Sequence, residues 1–221
     1  MKKRYSFFLI TLMLMAIVSS CKKDTIVSND NMVGISKVTY YPNFEITGDE
    51  NISIVVGTAY TDPGVKATAG GAEIPVTTTG SVDGSTVGVY ILTYTATNKD
   101  GFSASATRNV FVIPSAEVPG LDLSGTYMTT NGTPNATVIK VAPGVYFTDN
   151  CWGNGSLAII PAYFFCPDGT TPIIPFQVAG IYGRIMTTMP GTYSPSGLIT
   201  WTIIREDFSP PLTLQKTWQK I

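Results

Sequence analysis

The residues with chemical potential are few, and most of them crowd into one stretch of the second half. Asn150, Cys151, Trp152, Asn154, Tyr163 and Cys166 lie close together in the chain. Cys151 and Cys166 form an even pair, which in an oxidising compartment points to a disulfide. Closing a loop of about fifteen residues would stabilise the fold by roughly 3 kcal/mol. Two buried free thiols are the alternative. Trp152 sits outside any alternating apolar run, against Gly153-Asn154-Gly155. An indole on such a turn is a platform for a sugar ring, and the amides of Asn150 and Asn154 can bond hydroxyls. With Tyr163, these form the candidate ligand-binding set; an indole simply packed over the cysteine pair is the competing reading. Trp201 alternates with Ile199 and Ile203, and Trp218 shares a face with Leu212 and Leu214, so both are expected in the core.

Catalysis has little to work with. The chain has no histidine, which removes most hydrolytic triads and most transition-metal sites. The second half carries only Asp122, Asp149, Asp168, Glu206 and Asp207 as acids. Glu206 and Asp207 point to opposite faces if they continue a strand, so the paired acids of glycoside hydrolysis are not supplied. Asp62, Asp83 and Asp100 are loop acids that could hold calcium, but no dense Asp-x-Asp-Gly run exists; solvated turn acids are the simpler reading. No metal, cofactor or enzymatic activity is expected. Charged residues are 13% of the chain and the net charge is −1, so nucleic acid is not a partner. A neutral polymer or another protein suits such a surface better.

The elements that must position these residues are strands. Gly (21), Pro (15) and frequent Thr exclude coiled coils and helical repeats. Ile52, Ile54 and Val56 share one face; Tyr90, Leu92, Tyr94 and Ala96 share another, with Thr93 and Thr95 pointing away. Asn98-Lys99-Asp100-Gly101 supplies a turn. Pro114 to Gly120 has proline near both ends and reads as a short, semi-stiff connector. Beyond it, candidate strands cover 125–130, 137–141, 145–148, 157–160, 163–166, 173–178, 198–205 and 212–219. Asn-Gly, Asp-Gly and Pro-Gly turns separate many of them. The expected fold is all-β: an N-terminal β-sandwich over 34–113, a linker over 114–120, and an antiparallel barrel or sandwich over 121–221.

The first residues are an address. Lys2, Lys3 and Arg4 precede an apolar run from Phe7 to Val18, too short to span a bilayer but suited to a signal-peptide core. Val18-Ser19-Ser20-Cys21 resembles a bacterial lipobox. The resemblance implies cleavage after residue 20, lipid on Cys21, a polar tether over 21–33 and a membrane anchor made stable by several acyl chains. Lys22, in place of Asp, does not signal inner-membrane retention. The expected location is the outer membrane, with Lys22-Lys23-Asp24 resembling the surface-export tag of Bacteroidetes lipoproteins.

Gly57-Thr58-Ala59-Tyr60-Thr61-Asp62-Pro63-Gly64-Val65, Gly88 to Asn98, and Arg108 to Val112 together resemble the bacterial Ig-like domain of insecticidal crystal proteins, akin to the hyalin repeat. Gly88-Val89-Tyr90 is similar to the tyrosine corner of Ig-like sandwiches. The resemblance implies a seven-stranded sandwich used as a spacer; Asn98 stands where the family usually has Asp. Leu123-Ser124-Gly125-Thr126-Tyr127 and the closing Trp-bearing strand resemble an uncharacterised C-terminal domain of Bacteroidetes lipoproteins that accompany glycan-uptake systems. That likeness implies a glycan, or outer-membrane uptake proteins, as partner. A structural or adhesive lipoprotein acting only through protein contacts is the alternative.

Overall fold

The computed structural model describes residues 32–33, 36–129, 135–153 and 158–221. The signal segment, Cys21 and Asn154 lie outside the described residues. The chain forms two compact units, divided between Tyr40 and Tyr41. In the first, β1 (Met32–Val33) and β2 (Ser36–Lys37) pair antiparallel. Residues 36–40, expected in the sandwich, fall in this first unit.

The second unit begins with a seven-stranded sandwich. Its strands are β3 (Asn43–Ile46), β4 (Asn51–Val55), β5 (Val65–Ala69), β6 (Ala72–Ile74), β7 (Val76–Thr79), β8 (Gly88–Thr97) and β9 (Ser103–Ile113). One sheet has the order β3-β5-β6 and the other β4-β9-β8-β7, with β4 parallel to β9. The alternation in β8 is realised: Leu92, Tyr94 and Ala96 are buried between the sheets. The β8–β9 turn closes as its residues dictate. Asn98 Oδ1 accepts the N–H groups of Asp100 and Phe102, and Gly101 takes φ 85°. Asn98 thus serves as a turn former. Tyr90 Oη donates to the carbonyl of Thr86 at 2.8 Å, tying down the entry to β8.

The rest of the unit is one nine-stranded antiparallel sheet. It comprises β10 (Gly125–Thr129), β11 (Asn135–Ala142), β12 (Val145–Thr148), β13 (Ala162–Phe165), β14 (Gln177–Val178), β15 (Arg184–Thr187), β16 (Thr192–Tyr193), β17 (Leu198–Arg205) and β18 (Leu212–Lys220). The order is β13-β12-β11-β10-β18-β17-β15-β14, with β16 also on β17. The sheet curls until its two ends nearly meet. Phe165 bridges Ile173, and the side chain of Gln177 on β14 completes the seam against β13. Its Oε1 accepts the Tyr163 N–H at 2.9 Å and its Nε2 donates to the Tyr163 carbonyl at 2.8 Å. A side-chain amide thus does what a neighbouring strand would do, so the fold is a nearly closed barrel rather than a sandwich. The core includes Tyr127, Tyr146, Phe164, Ile185, Ile203 and all three tryptophans.

The strand expectations change in places: of 173–178 only Gln177–Val178 is a strand, and Thr192–Tyr193 adds a short one. Residues 158–160 are not a strand; there Ile160 instead serves a loop, its carbonyl accepting the Cys151 N–H at 2.8 Å. Arg184–Thr187 is a strand that its short pattern, with the single buried residue Ile185, does not announce.

The connector is not free. Glu117 pairs with Lys140 and accepts the Gly144 N–H at 2.7 Å, and Val118 N–H donates to the Pro167 carbonyl. Beside it, Phe111 and Ile113 from β9 join Ala142, Val145 and Phe165 in one buried apolar cluster. The Phe111 ring lies 4.9 Å from that of Tyr163 and 6.0 Å from that of Phe165. Sandwich and barrel share this core.

Candidate functional site at the sandwich–barrel junction

The outward face of β8 and β9 changes character along its length. At one end the register sets Thr97 opposite Ser103, Thr95 opposite Ser105 and Thr93 opposite Thr107. Thr77 and Thr79 of β7 extend these rows. At the other end the same face presents Val89 opposite Phe111, and here the barrel covers it. Side chains two apart in a strand share a face, so this switch from hydroxyl to apolar determines where the barrel docks.

At the boundary a cleft of about 290 Å³ remains, lined by Val89, Ile91, Tyr163, Phe176, Gln177 and Val178. Ile91, Phe176 and Val178 leave 53%, 50% and 70% of their surfaces exposed. Gln177 has its amide engaged in the seam and with the Pro175 carbonyl. Burial pushes the Tyr163 phenol above its ordinary pKa. The Arg184 guanidinium lies 5.3 Å from the Phe176 ring centre and faces Glu206 at 3.7 Å. The lining itself holds no carboxylate, thiol or amine. Such a cleft can bury an apolar or flat group.

Of the described members of the ligand-binding set expected from sequence, Asn150, Trp152 and Tyr163, only Tyr163 reaches this cleft. Trp152 is fully buried in the barrel, which overturns its reading as an exposed platform. The reason is local. Trp201 and Trp218 both donate their indole N–H to the Cys151 carbonyl, at 3.3 and 3.2 Å. Asn150, also buried, accepts the N–H groups of Trp152 and Gly153 on Oδ1 at 3.1 and 3.0 Å, so its amide oxygen organises the loop. Gly153 takes φ 61°, and a Cβ there would stand 2.6 Å from the Trp218 ring. The glycine admits a neighbouring tryptophan, not a sugar.

The disulfide is also corrected: Cys151 and Cys166 are free and buried. Strand register explains it. Val145 pairs with Phe165 and Thr148 with Ala162, while Cys166 N–H bonds Gly144 and Cys151 N–H bonds Ile160. The cysteines therefore sit at opposite ends of the β12–β13 ladder. The ladder from Ala162 to Phe165, three steps of about 3.3 Å, by itself spans about 10 Å, against the roughly 7 Å that a bridge tolerates. Burial pushes both thiols up to about 12, so neither is a nucleophile at neutral pH.

Asp62 is not a solvated turn acid. It pairs at 2.9 Å with Arg108, which is fully buried between the sheets. Arg108 also donates to the carbonyls of Thr47 and Gly64, and Tyr94 Oη bonds both Asp62 oxygens at 2.9 Å. Burial, then the bond to Asp62, pushes the Tyr94 phenol up to about 12. Asp83 does cap a turn, its pKa lowered by the Ser85 and Thr86 hydroxyls.

Residues 44–112 match the family model described as a bacterial surface protein, Ig-like domain. Among solved structures, the chain is similar to the lipoprotein BT2262 from Bacteroides thetaiotaomicron. The two are 25% identical over 81% of this chain and all of that one, with a TM-score of 0.40. It is also similar to the M60 catalytic domain with the CBM51-1 and CBM51-2 domains from Clostridium perfringens ZmpB. There the identity is 12%, over 82% of this chain and 20% of that one, with a TM-score of 0.33. No curated protein matches the chain.

Proposed function

We propose that this is a non-catalytic, lipid-anchored protein of the bacterial outer membrane whose sandwich and barrel form one rigid body presenting the junction cleft to a protein partner. The anchor rests on Cys21 in the lipobox-like segment. The observation that carries the reading is the exposed trio Ile91, Phe176 and Val178 around a cleft whose one amide is already spent. Contiguous exposed apolar side chains favour protein contacts, whereas an uncharged sugar needs free hydrogen-bonding groups. The partner class that fits is an outer-membrane uptake protein offering an apolar side chain to the cleft.

A photo-crosslinking residue at Val178, in cells, tests this. The expected product is one adduct identified by mass spectrometry as an outer-membrane transport component, lost when Phe176→Asp is added. Absence of an adduct, or an adduct indifferent to Phe176→Asp, defeats the reading.

One observation favours a neutral glycan instead. The hydroxyl rows of Thr79-Thr93-Thr107 and Thr77-Thr95-Ser105 are uncharged and continue from the cleft. Binding on a glycan array that Thr95→Lys abolishes, without loss of fold, would move the function to that face.

A further inference from the structure

A second site is written into the opposite side of the barrel. In β17, Ile199, Trp201, Ile203 and Arg205 point inward, and all four are buried. Register pairs Trp201 with Lys216, Ile203 with Leu214 and Arg205 with Leu212. Directly opposed residues share a face, so Lys216 also points inward. Leu214 remains 37% exposed on this face, so this end of the barrel reaches solvent. β-Barrel mouths are a preferred place for small ligands.

Both cations sit on the Trp152 ring. Arg205 Cζ is 4.9 Å from its centre and Lys216 Nζ is 4.2 Å. Their situations differ. Arg205 is held by Asp207, with Nε donating to Oδ1 at 3.1 Å, and is further covered by Tyr182 and Phe208. Lys216 has no carboxylate within ion-pair reach among the described residues. Burial lowers its pKa, and Arg205 lowers it further. An indole face offsets only part of the cost of desolvating an ammonium. Two donors of the loop that carries this ring are also unmet: the Trp152 indole N–H and the Asn150 amide nitrogen are buried without a partner.

A cation short of an anion and buried N–H groups short of acceptors call for the same missing group. We infer that the barrel mouth at Lys216 binds a carboxylate, with Lys216 as its ion-pair partner and the Trp152 and Asn150 N–H groups completing its hydrogen bonds. Asp207 does not fill this role, because both of its oxygens are engaged by Arg205. A carboxylate is preferred to a dianion because Asp207 leaves the mouth one net positive charge.

Two sources supply such a carboxylate, a free small acid or the acid group of a uronic sugar. Titration of full-length protein with acetate, galacturonate, trigalacturonate and neutral galactose separates them. The readouts are the indole N–H signal of Trp152 and the pKa of Lys216 by NMR. The expected result is a saturable indole shift and a raised Lys216 pKa with a carboxylate and neither with galactose. A preference for trigalacturonate over acetate would assign the acidic glycan, and equal responses the small acid. Lys216→Met should weaken binding about tenfold or more, the scale of one charge-assisted hydrogen bond, while Lys216→Arg should retain most of it. No indole shift with any carboxylate, or an undiminished shift in folded Lys216→Met, overturns the site.

Discussion

The sandwich and the barrel each turn a cation toward their aromatic interior, and the two cations meet opposite fates. Arg108 finds Asp62 at 2.9 Å, the carbonyls of Thr47 and Gly64, and the Tyr94 ring 6.0 Å away. Its counter-ion comes from the loop between β4 and β5, so the charge staples that loop to the sheet. Lys216 has the Trp152 ring and no counter-ion among the described residues. The charge of Arg108 is met within the chain and serves the fold, although its Nε is buried without a partner. The charge of Lys216 lacks a counter-ion among the described residues, and that gap is the one the inferred carboxylate would fill.

Removing the acid from the complete pair should have the largest effect. Asp62→Ala strands a buried guanidinium, for which losses of about 3–5 kcal/mol are typical. Urea denaturation should show this as a lower midpoint at unchanged slope. A loss near zero would mean that Arg108 is solvated and that the contrast with Lys216 is false.

A smaller loss is expected at alkaline pH. The Tyr94 phenol is raised from its ordinary value of 10.0 to about 12 in the folded protein. A group with a raised folded pKa contributes fully below its unfolded value and loses that contribution as pH climbs through the folded one. Stability should therefore decline between about pH 10 and 12. Tyr94→Phe should flatten that decline, and an identical decline in wild type and variant would remove Tyr94 from the account.

The smallest expected change has the opposite sign. Lys216→Met keeps the stem on the Trp152 ring and removes an unpaired, half-buried charge, so stability should rise by about 1 kcal/mol or less. Differential scanning calorimetry without added carboxylate checks this. A clear drop in midpoint would show that Lys216 already has a partner.

Much of this architecture is present in the pattern of residues, though not always at its face value. Leu92, Tyr94 and Ala96 announce a strand because alternation is a local property. The three inward cations are announced in the same way. Arg108 is in phase with Val110 and Val112, Arg205 with Ile199 and Ile203, and Lys216 with Leu212 and Trp218. A charge in core phase demands compensation, and that demand is legible in the order of residues alone. The identity of the compensator is not. Asp62 lies far from Arg108 in sequence, and only the packing of two sheets joins them.

Trp152 misleads for a related reason. It lacks an alternating context, which suggests a loop, and loops are usually exposed. Gly153 lets this one pass beneath Trp218. Cys151 and Cys166 look pairable by separation alone, whereas hairpin register decides which residues meet. The junction is legible in part: Phe111 and Ile113 follow Ser103, Ser105 and Thr107 on one face, and an outward face that turns apolar must be covered.

That planted phenylalanine also bears on mechanics. Tension applied between sandwich and barrel has two routes, the connector from Pro114 to Gly120 or the packed rings around Phe111. Because Phe111 and Ile113 are the last residues of β9 and are embedded in the barrel's apolar cluster, a pull is delivered along the strand axis. It is resisted in shear by the ladders to β4 and β8 together. Many hydrogen bonds then share the stress at once, and the two bodies yield as one piece.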